Sequence, residues 1–201
     1  MTLITTAIRD ELTLLYSSPN RHYHSLSHVN ALLGLLSVHR NRFTDPDAVE
    51  AAIWFHDAIY DVRAQGHANE QQSAGLAVLR LGPTIDPARL ARIREMIEAT
   101  ATHVVPTCLN GAEADDAAMF LDMDLSILGA DEAEFDRYEV AVREEYAFVD
   151  DDGWRKGRTV VLKSFVERER IYHSDLFRGL YEEAARRNLR RSLLKLESRQ
   201  T

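Results

Sequence analysis

The stretch Asp45-Pro46-Asp47-Ala48-Val49-Glu50-Ala51-Ala52-Ile53-Trp54-Phe55-His56-Asp57 decides how the chain reads. Asp45 before Pro46 is a helix start: the carboxylate can accept from first-turn amides, and proline at the first helical position lacks only an amide that has no partner there. The helix turns apolar from Ala51 to Phe55 and ends on a His-Asp pair. Apolar flanks imply a buried setting, where an unpaired carboxylate is costly and a metal or cationic partner resolves the cost. Neighbours on a helix lie roughly 100° apart, so His56 and Asp57 reach one ion only over the groove between them.

Working outward, His28 upstream and Asp124 downstream are candidate ligands for the same ion. Two histidines and two carboxylates suit a divalent metal of intermediate hardness, such as Mn, Fe or Co. Such a site leaves positions open for water, and water on a divalent metal is a nucleophile near neutral pH.

The rest of the chain reads as helix, with no alternating strand pattern, so an all-α bundle of eight to nine helices in a single domain, 1–201, is expected. Ile4, Ile8, Leu12 and Leu15 share one face of a first helix that Pro19-Asn20 follows. Ser25 or Ser27 can cap a second, through Val29, Leu32, Leu33 and Leu36 to His39. A loop, 60–68, leads to a helix 69–81 that stops at Gly82-Pro83. Asp86-Pro87 repeats the start signal for a helix to about His103, and 104–112 reads as loop. A helix 114–128 stops at Gly129, Asp131 caps another to about Val149, and Asp150 to Gly153 reads as a turn. Two last helices cover roughly 154–170 and 175–197, with no internal repeat.

Composition excludes several classes. The 24 basic and 32 acidic residues give a net charge of −8, which argues against a nucleic-acid polymer or membrane-surface partner. The lone Cys108 cannot form an intrachain disulfide, which favours a reducing compartment. No signal peptide is read in Met1-Thr2-Leu3-Ile4-Thr5, and no apolar run spans a bilayer, so a cytoplasmic location is expected. The Arg-rich segment 186–191 reads as a solvated helix face. Leu189, Leu193 and Leu196 beside it, taken as exposed, could pack on a second copy as readily as on the core.

The order H … HD … D resembles the HD superfamily of metal-dependent phosphohydrolases. Four segments, Arg21 to His28, Trp54 to Asp61, Asn69 to Ala74 and Phe120 to Gly129, look like its compact bacterial members, with likeness over about 16–188. The resemblance implies metal ligands His28, His56, Asp57 and Asp124. It favours Asp124 over Asp122, which could instead orient a ligand histidine. It implies one divalent ion per chain, with Mn, Co, Fe, Ni and Mg all compatible.

Around that core the resemblance suggests further roles. His24 would orient substrate or a proton, or is a capping imidazole. Glu70 would act as general base, or stabilises its own helix dipole; Asp61 is a second candidate for that role. His103 would touch substrate or a second metal, or simply favours a helix C-terminus. Phosphate needs cations on its oxygens. Arg21 and Arg158 come first, ahead of Arg143 and Lys156, because their segments resemble the subgroup. Without a Gly-rich phosphate loop, side chains and metal would hold the phosphate. The implied activity is hydrolysis of a small phosphoester, a nucleotide foremost, by a metal-activated water. A di-iron oxygenase and a non-catalytic module binding a nucleotide or partner are the alternatives.

Overall fold

The computed structural model describes residues 2–198, and among them are nine α-helices and no strand. These are α1 (Thr6–Tyr16), α2 (Leu26–His39), α3 (Pro46–Phe55), α4 (Ala68–Leu81), α5 (Pro87–Ala99), α6 (Gly111–Asp124), α7 (Glu132–Glu145), α8 (Asp151–Val166) and α9 (Asp175–Ser198). The all-α expectation holds. None of the described helices is long and apolar enough to cross a membrane. The chain divides after Asp124 into two compact units.

In the first unit α3 is the central helix, packed against α1, α2, α4, α5 and α6. Its Ala48, Val49 and Ala51 to Phe55 are all buried, as an apolar segment surrounded on every side must be. The start signal works as read: Asp45 Oδ1 accepts from the Ala48 amide at 3.1 Å. Arg89 holds the same carboxylate, Nε to Oδ2 at 2.7 Å. Asp116 accepts the Thr44 and Asp45 amides at 2.9 and 2.8 Å, which fixes how the chain enters α3. Burial nonetheless pushes the Asp116 carboxyl up, against the pull of those amides.

Several boundaries differ from expectation. α5 ends at Ala99, short of His103, where the Thr100 hydroxyl donates to the Ile97 carbonyl at 2.8 Å and competes with the helical ladder. α6 starts at Gly111, inside the expected loop, and yields at Asp124 to a 3-10 segment, Leu125–Gly129. The acidic run Asp150 to Asp152 is a helix start, not a turn: Asp150 accepts the Gly153 amide at 2.7 Å, so it caps α8.

In the second unit the 3-10 segment packs against α7 and α9, and α8 packs against α9. Gly129 is required by close approach, since a Cβ there would lie 2.6 Å from Tyr181 Cβ. Asn188 of α9 donates to the Leu128 and Ala130 carbonyls, both at 2.9 Å, and ties down the end of the segment. Leu189 and Leu196, expected to be exposed, are buried within the chain, and Leu193 is half-buried. The Arg-rich segment is only partly a solvated face: Arg186 donates to the Val166, Arg168 and Glu169 carbonyls.

Candidate metal centre

Three helices of the first unit converge on one point. α2 carries His28 in its first turn, His56 follows the last residue of α3, and Asp124 is the last residue of α6. Donor atoms of these three residues all lie within 4.8 Å of one another. His28 Nε2 is 3.0 Å from Asp124 Oδ1 and 3.2 Å from His56 Nε2. Asp57, expected as a fourth ligand, lies beside this group and outside it, with Oδ2 3.1 Å from His56 Nε2 and 3.9 Å from His28 Nε2.

The His28, His56 and Asp124 donors are close enough to hold one ion. Ligands about 2.1 Å from an octahedral metal are about 3.0 Å apart when adjacent and about 4.2 Å when opposite. His28–Asp124 and His28–His56 match adjacent positions. His56–Asp124, at 3.6 Å, is a stretched adjacent pair.

The tautomer is set for ligation. His56 Nδ1 lies 2.8 Å from the Ile53 carbonyl, which can only accept, so Nδ1 carries the hydrogen and Nε2 offers its lone pair to the cluster. Burial opposes a positive His56, but the Asp57 and Asp124 carboxylates outweigh it and hold the imidazole at about 9. Burial likewise opposes ionised Asp57 and Asp124, yet the surrounding imidazoles hold both well below the usual carboxylate range. A site this eager for a proton on Nε2 is one that a cation can occupy instead.

The other expected residues fall in different places. His103 reaches the second oxygen of Asp124, Nε2 to Oδ2 at 2.9 Å, from a left-handed backbone with φ of 51°. That conformation is uncommon for a residue with a side chain, and its cost is tolerated most often at functional positions. Asp122 is fully buried and stands outside the donor cluster. His24 stacks on Tyr60 with ring centroids 4.2 Å apart and is 6.3 Å from His28 by the same measure. One oxygen of Glu70, in the first turn of α4, is buried without a hydrogen-bond partner. Asp61 is exposed, and its carboxylate accepts the Arg63 amide at 2.9 Å.

The arginines expected to meet phosphate have partners within the chain. Arg21 donates to three main-chain carbonyls: His24 at 3.0 Å, Asp57 at 2.6 Å and Ala58 at 2.8 Å. Arg158 is buried in the second unit, paired with Glu139 and donating to the Tyr138 hydroxyl at 2.9 Å. Burial opposes its charge, but Tyr138 and Glu139 hold its pKa above the usual guanidinium range. Arg143 donates to the Tyr146 and Val149 carbonyls and to Asp151, and Lys156 lies on α8 of the same unit.

A set of residues with no assigned chemistry surrounds the His-Asp pair. The Tyr16 hydroxyl donates to the Trp54 carbonyl at 3.1 Å. Ser73 binds both the amide and the carbonyl of Ile59, at 3.0 and 3.2 Å. Asn69 does the same for Asp61, at 3.0 Å each. For Asn69 and Ser73 the signal in the sequence was present but unexplained: both lie in a segment that carries the resemblance. Comparison with protein-family models, curated proteins and solved structures finds no match.

Proposed function

We propose that this protein is a phosphohydrolase of the HD type, acting on a small phosphoester, with a nucleotide as the favoured class. The observation that carries the reading is the convergence of His28, His56 and Asp124, with Asp57 beside them. These four residues would hold one divalent ion. When bound, it supplies Lewis acidity, lowering the pKa of a water and polarising a phosphoryl oxygen. Glu70 or Asp57 would accept a proton from the attacking water, whose oxygen would bond to phosphorus as the ester P–O bond breaks, and the leaving oxygen would take a proton back from that carboxyl group or from solvent. The orphaned Glu70 oxygen supports the first choice, because it retains full capacity to accept. His24 orients the substrate. A reducing, cytoplasmic setting belongs to the same proposal and rests on the lone Cys108.

The test is a phosphatase screen with Mn2+ or Co2+, wild type beside Asp57→Ala, over nucleoside mono-, di- and triphosphates and an aryl phosphate. Turnover that vanishes in the variant is the expected result. Turnover retained by Asp57→Ala and by His56→Ala would sink the mechanism.

One observation favours a second reading. His103 on the second oxygen of Asp124 supplies an additional imidazole, as a two-iron oxygenase requires. Purified protein with two irons per chain and a visible iron chromophore would select that chemistry. One metal per chain without it would select hydrolysis.

A further inference from the structure

We propose that Arg21 is a positioning residue for the His56-Asp57 pair: through the main-chain carbonyls of Asp57 and Ala58 it fixes where the Asp57 carboxylate points. The inference rests on the metal-site reading above.

A helix end leaves its last carbonyls without intrahelical partners, and here every one is accounted for. The Ala52 carbonyl receives the His56 amide and the Phe55 carbonyl receives that of Ala58. The Ile53 carbonyl takes His56 Nδ1 and the Trp54 carbonyl takes the Tyr16 hydroxyl. Beyond the helix, backbone hydrogen bonding passes to side chains: Ser73 holds Ile59 and Asn69 holds Asp61. The Asp57 and Ala58 carbonyls fall to Arg21.

Arg21 suits that position for geometric reasons. Its planar fork serves two successive carbonyls at once, which an ammonium cannot match with the same rigidity. The fork is itself held, with its carbon 5.0 Å from the Tyr16 ring centre and 5.5 Å from that of Tyr60. Tyr60 in turn stacks on His24. The contact on Asp57 is to the ligand residue's own peptide, so a displaced carbonyl swings the carboxylate. Sites of this kind tolerate about 0.5 Å of such error. Arg21 therefore acts through Asp57 and not on the phosphate.

The test is Co2+ binding to the full chain, read by titration and by the ligand-field absorption bands, for wild type, Arg21→Ala, Arg21→Lys, His56→Ala and Arg89→Ala. Arg89 pairs with Asp45 at the opposite end of α3, so its loss destabilises the same helix without touching the pair. The expected result is Co2+ binding weakened about tenfold or more in Arg21→Ala, with altered bands. Arg21→Lys should fall between, and Arg89→Ala should keep wild-type bands. If Arg21→Ala does not fold, Arg21→Lys against Arg89→Ala decides. Bands and affinity unchanged in the Arg21 variants, with binding lost in His56→Ala, overturn the positioning role alone. Equal weakening in Arg89→Ala also overturns it, as a stability effect. No Co2+ binding by the wild type overturns the metal site and this role together.

Discussion

Both oxygens of Asp124 are engaged by histidines: Oδ1 lies 3.0 Å from His28 Nε2, and Oδ2 lies 2.9 Å from His103 Nε2. His103 therefore sets the rotation of the carboxylate that His28 and His56 share. His103→Ala should weaken metal binding by about tenfold to a hundredfold, the usual effect of removing a group that orients a ligand. It should also relieve little backbone strain, since alanine at a φ of 51° is no better accommodated. Isothermal titration with Mn2+, beside thermal melting, separates the two effects; unchanged affinity would reduce His103 to a bystander.

Asp122 and Asp124 are distinguished by the same measurement. Asp124→Asn should abolish tight metal binding, because it removes a charged donor from the cluster. Asp122→Asn should retain it and lower the melting temperature instead, as a change at a fully buried polar residue does. Metal content of the two purified variants decides, and the reverse pattern would exchange their roles.

Metal-free protein should show a pH dependence set by His56 and its carboxylate neighbours. His56 is held at about 9 when folded, above its ordinary value near 6.5. Its stabilising contribution is complete below about pH 6.5 and is lost as pH rises through 9. Asp57 and Asp124 are depressed, so their contribution is present above about pH 4 and is lost on acidification. The melting temperature of the apo form should peak between these limits and fall from pH 6.5 to 9, and saturating Mn2+ should flatten that fall. An apo melting temperature constant over that range would contradict the assignment.

In the second unit the buried Arg158–Glu139 pair should matter for stability. Glu139 Oε2 also accepts from the Ser192 hydroxyl at 2.7 Å, which binds α7 to α9. Glu139→Gln leaves a buried guanidinium without its counter-charge and should cost about 3–5 kcal/mol. Arg158→Met with Glu139→Leu should recover most of it. Chemical denaturation of the single and double variants tests this. A double variant as weak as the single would point to packing as the cause.

The helices were legible because their starts are chemically explicit. Asp45-Pro46, Asp86-Pro87 and Asp131 each cap the helix expected of them, by accepting the amide three residues on. Helix ends were less legible. Nothing local in Thr100 to His103 distinguishes a final turn from a left-handed exit, and Asp150 to Gly153 suits a turn and a cap equally. His28, His56 and Asp124 of the cluster could be named from residue type, order and the resemblance, which favoured Asp124 over Asp122. The arginines could not be sorted that way: composition reports a positive charge, but only the fold reveals that Arg21 meets carbonyls and Arg158 the Glu139 carboxylate. Asn69 and Ser73 show the same limit, since their task is to hold a backbone whose path a sequence does not display.

The double grip of Asn69 on Asp61 has a mechanical corollary. It closes the chain between them into a small independent ring, whose outer part, from Arg63 to His67, is largely exposed and turns through Gly66 at a φ of 62°. Extra residues inserted there, or a protease cut within it, lie on the far side of a clasp from His56 and Asp57. A point suited to lengthening thus lies about ten residues from the His-Asp pair, insulated from it by a single asparagine.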